Sequence, residues 1–364
     1  MARLFLLMLL SIIAVGCDNS SQKNEDANGA SGFVLKRGTN IAHWLSQSNR
    51  RGAERAAFFT ETDIRFIDSV GFDHIRLPID EVQMWDENGD RYAEAFVLLD
   101  SALNWCERAG LRVILDLHIL RSHYFNAEEK PLWTDPAEQD KFIALWKDLS
   151  GAFHDRSTSL LAYELMNEPV ADDPEDWNRL VTRAIDSLRS WEPERMLVIG
   201  SNRFQSAETF DLLKIPDDRH IILSFHFYEP FHLTHYQAQW TFLKDFNGEV
   251  NYPGQIVTDG ESPQEQRVYN RDTLEKMMKK PIHLARQVNL PLYCGEFGVI
   301  KGAPVEDKLA WYRDMVAVFE KNNIAYANWN YKAGSFGIVD GSLEPDKPMI
   351  EILTGQKSVT KEGD

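Results

Sequence analysis

The chain has 364 residues, of which 43% are hydrophobic and 26% charged, a composition typical of a globular protein. Its formal net charge of −17 argues against binding to a nucleic-acid backbone or to an anionic membrane surface. A neutral ligand such as a sugar meets no such repulsion. The many aromatic residues offer flat faces for sugar stacking, although most aromatic side chains in a protein belong to its core.

The N-terminus has the pattern of an export signal. Arg3 is followed by an apolar stretch from Leu4 to Val15, which is too short for a membrane-spanning helix of roughly 20 residues. The sequence Ala14-Val15-Gly16-Cys17 resembles a bacterial lipobox, although Ala14 replaces the usual leucine. We therefore expect residues 1–16 to be a lipoprotein signal peptide and Cys17 to be lipidated. The alternative is an ordinary cleaved signal peptide that contains a cysteine.

Residues 17–32 are polar, without apolar periodicity, and predict a flexible tether. A single catalytic domain is expected over residues 33–364. Together these segments predict an exported protein that is lipid-anchored to a bacterial membrane, at the outer membrane or cell surface. The two cysteines of the body, Cys106 and Cys294, lie on a predicted helix face and inside a predicted strand. We expect two separate buried thiols rather than a disulfide.

Eight short apolar runs alternate with amphipathic stretches along the body of the chain. The runs are Gly38–Trp44, His74–Ile79, Arg112–His118, Leu161–Asn167, Met196–Ser201, His220–Tyr228, Pro291–Phe297 and Tyr326–Tyr331. Near-continuous hydrophobicity is typical of parallel strands that are buried on both faces. Helix signals separate them, such as the N-cap and proline pairs Asp135-Pro136 and Asp173-Pro174. The fold class predicted is α/β, a single (β/α)₈ TIM barrel.

One long gap separates the sixth and seventh predicted strands. It extends from about Glu229 to Asp272 and contains Trp240. A structureless loop of this length is unusual, so we expect an elaborated loop with short local elements over one end of the barrel.

Polar and aromatic side chains stand at the ends of all the predicted strands except the fifth. They are His43, Trp44, Arg76, His118, Asn167, Glu168, His226, Tyr228, Glu296 and Trp329. The carboxyl ends of the strands are where barrel enzymes build their active sites, so these residues should form one cluster. Glu168 and Glu296 are placed at the ends of two strands, as the two carboxylates of glycoside hydrolysis require.

At these positions the chain resembles glycoside hydrolase family 5, over about residues 33–353. The matching motifs are His-Ile-Arg76-Leu-Pro, Asp-Leu-His118, Asn167-Glu168-Pro, His226-Phe-Tyr228, Gly-Glu296-Phe-Gly and Asn-Trp329-Asn. The resemblance implies a retaining glycosidase with Glu168 as acid/base and Glu296 as nucleophile. The acid/base needs an environment that raises its pKa, and the nucleophile needs donors that keep it ionised.

The other positions are expected to support this pair. Arg76 and Tyr228 should donate to Glu296, and Asn167 should bind the sugar 2-hydroxyl. His118 and His226 should hold the sugar and the carboxylates. Trp329 should form the floor under the ring being cleaved, while Trp240 should stack on a more distant sugar. His43 and Trp44 are included as substrate-binding candidates.

The substrate is the least defined part of the prediction. The run from Phe225 to His235, followed by Trp240, resembles family members that act on β-1,4-glucans, which favours an endo-acting glucanase of cellulase type. A β-mannanase, an exo-acting β-glucosidase or a 1,3-β-glucanase remain alternatives, as does a surface lipoprotein that binds glycan without cutting it. We expect no cofactor, no catalytic metal, no nucleic-acid partner and a monomeric protein. The pair His232 and His235 lacks the His-Glu-x-x-His pattern of a zinc site.

Overall fold

The computed structural model describes residues 32–256, 267–340, 342 and 344–356. The predicted signal peptide, Cys17 and nearly all of the predicted tether lie outside the described residues. Within the described part of the chain, no helix is both long enough and apolar enough to cross a membrane.

Eight parallel strands close into a barrel in chain order, which confirms the predicted (β/α)₈ fold. The strands are β1 Arg37–Asn40, β2 His74–Asp80, β3 Arg112–Ile119, β4 Leu161–Glu164, β5 Leu197–Gly200, β6 Ile221–Phe227, β7 Leu292–Phe297 and β8 Ile324–Asn328. The barrel closes where β8 pairs with β1, from Arg37 opposite Tyr326 to Thr39 opposite Asn328. Several strands are shorter than predicted; β4 ends three residues before Asn167.

Helices fill the connections between the strands. The α-helices are Gly52–Phe58, Glu61–Ser69, Glu81–Met84, Ala93–Ala109, Pro136–Phe153, Pro174–Trp191, Phe231–Thr234, Arg271–Met277, Lys279–Val288, Val305–Asn322 and Lys347–Thr354. A four-residue left-handed turn lies at Asn202–Gln205, and 3₁₀ turns lie at Pro131–Trp133 and Ala207–Leu212. The two predicted N-caps are present: Asp135 accepts from the Ala137 amide, and Asp173 accepts from the Glu175 amide, each at 2.9 Å. Each satisfies an amide that has no partner within its helix.

Buried apolar side chains form two clusters. The larger one lies between the strands and the helices and contains the outward-facing strand residues such as Leu115 and Phe225. The smaller one contains residues of opposite strand parity, among them Ile114, Val198 and Ile222, which face the barrel axis. Apolar side chains therefore fill only part of the barrel interior, and polar side chains of the same parity continue it towards the carboxyl ends of the strands.

The connection between β6 and β7 has the short elements expected of it. It contains the helix Phe231–Thr234 and a small antiparallel pair, Gly254–Gln255 with Val268–Tyr269. Residues 257–266 of this connection are outside the described residues. Cys106 and Cys294 are both free and buried, as predicted.

Candidate active site

Strand alternation explains how several polar side chains reach the barrel interior at its mouth, the end where the strands terminate. Ile114, Asp116 and His118 follow one another at every second position of β3. Ile222, Ser224 and His226 have the same relation on β6, and Tyr228 continues that series one residue beyond the strand. Because successive residues of a strand point to opposite faces, each series faces the axis. The deeper members are apolar and those nearer the mouth are polar.

Glu296 reaches the interior by a different route, through a β-bulge. Phe225 pairs with Cys294, but the next residue of β6, His226, pairs with Glu296, so that Gly295 is an extra residue. The same extra residue appears against β8. A bulge of this kind re-aims the side chain that follows it. A Cβ at Gly295 would lie 3.0 Å from the Ser224 hydroxyl oxygen, so the absence of a side chain helps the bulge to fit.

Arg76 is the buried cation at the centre of the site. Its Nη1 donates to Oε1 of Glu296 at 2.7 Å and to Oδ1 of Asn40 at 2.9 Å. Its Nε donates to Glu164 at 2.5 Å, and its Nη2 donates to Oδ1 of Asn167 at 2.8 Å. The guanidinium has no exposed surface, so these charge-assisted bonds replace its lost hydration. The expected contact between Arg76 and Glu296 is present.

Glu296 accepts two donors, as predicted for a carboxylate that must stay ionised. Besides Arg76, the Tyr228 hydroxyl donates to its Oε2 at 3.0 Å. Burial raises the pKa of Glu296, and the charge of Arg76 together with the Tyr228 hydrogen bond opposes that rise. These two donors favour the ionised form, which is the form a nucleophile needs.

Glu168 has the opposite surroundings. Oε1 of its carboxylate lies 2.9 Å from Nδ1 of His226, and burial beside Arg76 lowers the pKa of His226, which favours the neutral ring. Burial raises the pKa of Glu168 well above its usual range, and the charge of Glu296 raises it further. One oxygen of Glu168 lies within 4.8 Å of one oxygen of Glu296. Glu168 therefore holds a proton more readily than Glu296 does.

Two further predicted residues lie against this pair. Asn167 is buried, and its Nδ2 has no hydrogen-bond partner among the described residues while its Oδ1 is held by Arg76. That leaves an oriented N–H available for a ligand oxygen. His118 is fixed by a 2.7 Å contact from its Nδ1 to Asp116, and burial lowers the pKa of His118 to about 4. His118 is thus a neutral ring with Nε2 3.2 Å from the amide nitrogen of Gln47.

Aromatic side chains extend from these groups towards solvent. The half-buried indole of Trp329 stacks in parallel on His118, with ring centroids 5.6 Å apart. Near Tyr228, the ring centroid of Phe336 lies 6.2 Å from that of Tyr228 and 6.3 Å from that of Trp240. Trp240 is 58% exposed. Trp329 therefore lies against His118, and Trp240 lies on the β6–β7 connection, one aromatic ring beyond Tyr228. His43 is half-buried beside the Gly334 backbone, near the same end of the barrel.

The prediction that Trp44 binds substrate was wrong. Its side chain has no exposed surface, packs on Phe59 with centroids 5.0 Å apart, and donates its indole N–H to the Arg55 carbonyl. A ring that is enclosed in this way presents no face to a sugar. His43 and Trp44 are neighbours in sequence, and the chain turns sharply there, with a φ of 62° at His43. The two side chains therefore point in different directions, that of His43 towards Gly334 and that of Trp44 into the core.

Sequence reasoning missed several interior residues. Asp116 and Glu164 are fully buried carboxylates that contact Arg76, and burial raises the pKa of Asp116 to about 7. The alternation of inward positions on β3 and β4 was a signal that could have found them. Gln205, which follows β5, also reaches the site, where its amide contacts Glu164 and the backbone of Glu168. The fifth strand, for which no site residue was predicted, is therefore followed by a residue that reaches the site.

The site also has the elements of a cation site, because Glu168, His226 and Glu296 each place one ligand atom within 4.8 Å of the others. The donors around it do not favour a metal. Both oxygens of Glu296 already accept hydrogen bonds, from Arg76 and Tyr228, and the guanidinium repels a second cation. The other candidate pair, His232 and His235, packs into an aromatic cluster with rings such as Phe231 and Phe246.

Comparison with known proteins gives consistent relatives. Residues 34–335 match the family model described as cellulase, glycosyl hydrolase family 5. Endoglucanase C of Acetivibrio thermocellus is 32% identical over 341 residues, which cover 89% of this chain and 99% of the relative. Cellodextrinase A of Ruminococcus flavefaciens is 30% identical over 294 residues, 79% of this chain and 83% of the relative.

Solved structures agree with the fold. Cel5A of Thermotoga maritima, solved with mannotriose, superposes with a TM-score of 0.75 at 25% identity, covering 90% of this chain and all of that one. The matched segment contains all eight strands and both glutamates, and the sequence relatives extend over most of the chain. The chain therefore belongs to the cellulase family, glycosyl hydrolase family 5.

Proposed function

We propose that this protein is an endo-acting β-1,4-glucanase that hydrolyses its substrate with retention of configuration. The observation that carries the proposal is the distance between Glu168 and Glu296, whose nearest oxygens lie within 4.8 Å. Retaining glycosidases hold their two carboxyl groups about 5–5.5 Å apart, whereas inverting enzymes leave about 6.5–9.5 Å for a water molecule. The short distance between the nearest oxygens favours direct attack on the sugar over attack by an intervening water.

The surroundings of the two carboxyl groups support a distinct role for each of them. Glu168, whose pKa is the more strongly raised, donates its proton to the glycosidic oxygen as the bond to the leaving sugar breaks. Glu296, held ionised by Arg76 and Tyr228, attacks the anomeric carbon and forms a glycosyl-enzyme. Glu168 then removes a proton from water, which attacks the same carbon and releases Glu296. Two displacements restore the original configuration.

Other groups at the mouth stabilise the sugar during these steps. The free N–H of Asn167 is placed next to the acid and is suited to the 2-hydroxyl, a contact that strengthens as the ring becomes oxocarbenium-like. Trp329, whose plane is fixed by His118, provides an apolar face beside the reacting carbon. Binding that improves in the transition state increases the rate, whereas uniform binding does not.

The choice of β-1,4-glucan is supported by the relatives. Endoglucanase C aligns with this chain over 99% of its own length, so the likeness extends over nearly the whole of that relative. A solved Cel5A with cellobiose, at 25% identity and a TM-score of 0.74, has a barrel of the same kind. These likenesses favour an endoglucanase. The relative named cellodextrinase A makes short oligosaccharides an alternative class of substrate.

A β-mannanase is the second candidate, because a structural relative was solved with mannotriose. Product analysis on carboxymethylcellulose, barley β-glucan, xyloglucan, laminarin and mannan separates the candidates. An endoglucanase produces mixed oligosaccharides from the first two and lowers their viscosity early. Release of a single small product would indicate exo action, and activity on mannan alone would contradict the proposed substrate. NMR of the first product should show the β-anomer.

For the cellular location, we propose a lipid-anchored enzyme at the outer membrane or cell surface, acting as a monomer. The support is the sequence from Arg3 to Cys17 and the polar residues that follow. Two or three acyl chains on Cys17 would anchor the protein stably. Fractionation of the native host with wild type and Cys17→Ala tests the anchor: wild type should be in the membrane fraction and the variant released. A membrane-bound variant, or wild type free in the medium, would contradict it.

A further inference from the structure

The turn that follows β5 has an unusual backbone. Arg203, Phe204 and Gln205 have φ values of 58°, 64° and 50°, so three consecutive non-glycine residues are left-handed. This region is disfavoured for L-amino acids and persists only where the surrounding contacts hold it. The Gln205 side chain is fully buried. The turn therefore directs one amide into the interior in a conformation that the chain does not adopt by default.

The turn is fastened to the segment that follows the acid/base. The Asn202 side chain accepts from the Ala171 amide and donates to the Ala171 carbonyl, each at 2.8 Å. The Phe204 amide donates to the Pro169 carbonyl at 3.3 Å. These bonds join the residues after β5 to the residues after β4. The position of one segment is therefore fixed relative to the other.

Gln205 joins the same turn to the centre of the site. Its Oε1 accepts from the backbone N–H of Glu168 at 2.9 Å, and its Nε2 donates to Oε1 of Glu164 at 3.1 Å. Glu164 in turn accepts from Arg76, which donates to Glu296. A continuous series of hydrogen bonds thus runs from the backbone of the acid/base to the carboxylate of the nucleophile.

The barrel leaves space for this amide at one glycine. A Cβ on Gly200, the last residue of β5, would lie 2.4 Å from Cγ and Nε2 of Gln205. That distance is too short for any real contact, so a larger residue would displace the Gln205 side chain. The glycine and the left-handed turn are independent features, and both are needed for Gln205 to reach Glu168.

We infer that Gln205 is a positioning residue that fixes the direction in which Glu168 delivers its proton. Glu168 has a φ of 44°, also left-handed, and its backbone N–H is held by the Gln205 amide. Loss of that bond frees the backbone of Glu168 and therefore the direction of its carboxyl group, whereas Glu296 keeps its two donors, Arg76 and Tyr228. Proton transfer depends on alignment, and nucleophilic attack by Glu296 does not depend on this bond.

This inference rests on the proposed retaining hydrolysis, and the test separates the two. The substrates are phenyl and 2,4-dinitrophenyl β-cellobioside, of which the first needs its leaving group protonated and the second does not. Gln205→Ala should lower kcat/KM on the phenyl substrate at least about tenfold more than on the dinitrophenyl substrate. A residue with a merely structural role would lower both values by the same factor.

Two further variants make the test independent of folding defects. Asn178→Ala is the matched control, since Asn178 is a buried amide outside the site that donates to Glu175 and accepts from the Lys214 amide. It should lower the Tm without changing the ratio of the two kcat/KM values. Gly200→Ala should change the ratio in the same direction as Gln205→Ala, because it displaces the same amide.

The double variant Gly200→Ala/Gln205→Ala should have a ratio no further from wild type than Gln205→Ala alone, since both changes remove one interaction. An unchanged ratio in Gln205→Ala overturns the inference. If that variant does not fold, an unchanged ratio in Gly200→Ala overturns it instead. Wild type that hydrolyses neither aryl cellobioside nor β-glucan would refute the proposed function itself.

Discussion

The ends of β4 and β7 carry the same side chain in two different environments. At the end of β7, Glu296 accepts from the guanidinium of Arg76 and the hydroxyl of Tyr228. Beyond the end of β4, Glu168 meets the neutral ring of His226. Both carboxyl groups are nearly buried, so burial alone raises the pKa of each. The hydrogen-bond donors therefore account for the difference between the two pKa values.

This comparison shows how one reaction obtains an acid and a base from two glutamates. The charge of Glu296 raises the pKa of Glu168 further, whereas Arg76 lies closer to Glu296 and favours its ionised form. One proton shared by such a pair therefore resides on Glu168. In the proposed reaction, the two glutamates differ in role because the donors around their carboxyl groups differ.

The largest effect is expected on the β7 side. Glu296→Ala removes the nucleophile and should lower kcat at least about 10⁴-fold, because no glycosyl-enzyme forms. Added azide should then restore partial turnover and give the glycosyl azide with inverted configuration, which NMR identifies. A β-configured azide from this variant would show that the two roles are exchanged.

On the β4 side the loss should depend on the substrate. Glu168→Ala should lower kcat/KM on phenyl β-cellobioside about 10²- to 10⁴-fold, which is the usual contribution of a general acid. On 2,4-dinitrophenyl β-cellobioside the glycosyl-enzyme should still form and accumulate, visible as a burst of dinitrophenolate. Azide should give the β-configured product. Equal losses on both substrates would contradict the assignment of the acid.

The donors themselves can be removed without touching either glutamate. Tyr228→Phe deletes the hydroxyl that donates to Glu296, so the pKa of Glu296 should rise by about one to two units, as the loss of a hydrogen bond to a charged group predicts. Activity requires ionised Glu296 and is lost as the pH falls through that pKa. The acid limb of the kcat/KM profile should therefore move to higher pH.

Tyr252→Phe is the matched control for that experiment. Its hydroxyl also donates to a carboxylate, Asp314, at 2.9 Å, but on the outer part of the fold. The control should leave both limbs of the pH profile in place. If Tyr228→Phe also leaves the acid limb unchanged, the donors do not set the difference between the two carboxyl groups.

The smallest effect is expected farthest from the carboxyl groups. Trp240 is separated from Tyr228 by Phe336 and lies 58% exposed on the β6–β7 connection. Trp240→Ala should raise KM for cellohexaose by roughly two- to tenfold, the scale of an aromatic stacking contact, and leave cellotriose unaffected. Neither limb of the pH profile should move. Equal losses on short and long oligosaccharides would remove the predicted sugar contact.

Much of the barrel could be predicted because the burial of each strand determines its pattern of apolar and polar residues. A parallel strand that is buried on both faces has to be apolar, so a polar residue at its end stands out, as Glu168 and Glu296 do. Arg76 and Tyr228 were placed beside Glu296 by the same reasoning, together with the family resemblance, and the observed hydrogen bonds agree.

The features that could not be predicted depend on the direction in which individual side chains point in the folded structure. Trp44 follows His43 directly, and only the backbone turn at His43 shows that the indole is enclosed in the core. Gln205 lies beyond the end of β5, and no periodicity distinguishes it from a loop glutamine. Its role depends on three successive left-handed residues and on the space left by Gly200. A pattern of residue types contains neither fact.

The extra residue at Gly295 has a consequence for comparing barrels by residue count. Before it, odd-numbered residues of β7 such as Tyr293 face the axis; after it, even-numbered ones such as Glu296 do, while Cys294 and Phe297 join the outer layer. The strand thus changes parity once, immediately before the nucleophile. If this strand were replaced by one that has the same residue types but no extra residue, the glutamate would face the surrounding helices instead of the barrel axis. The position of the extra residue therefore matters as much as the presence of the carboxylate.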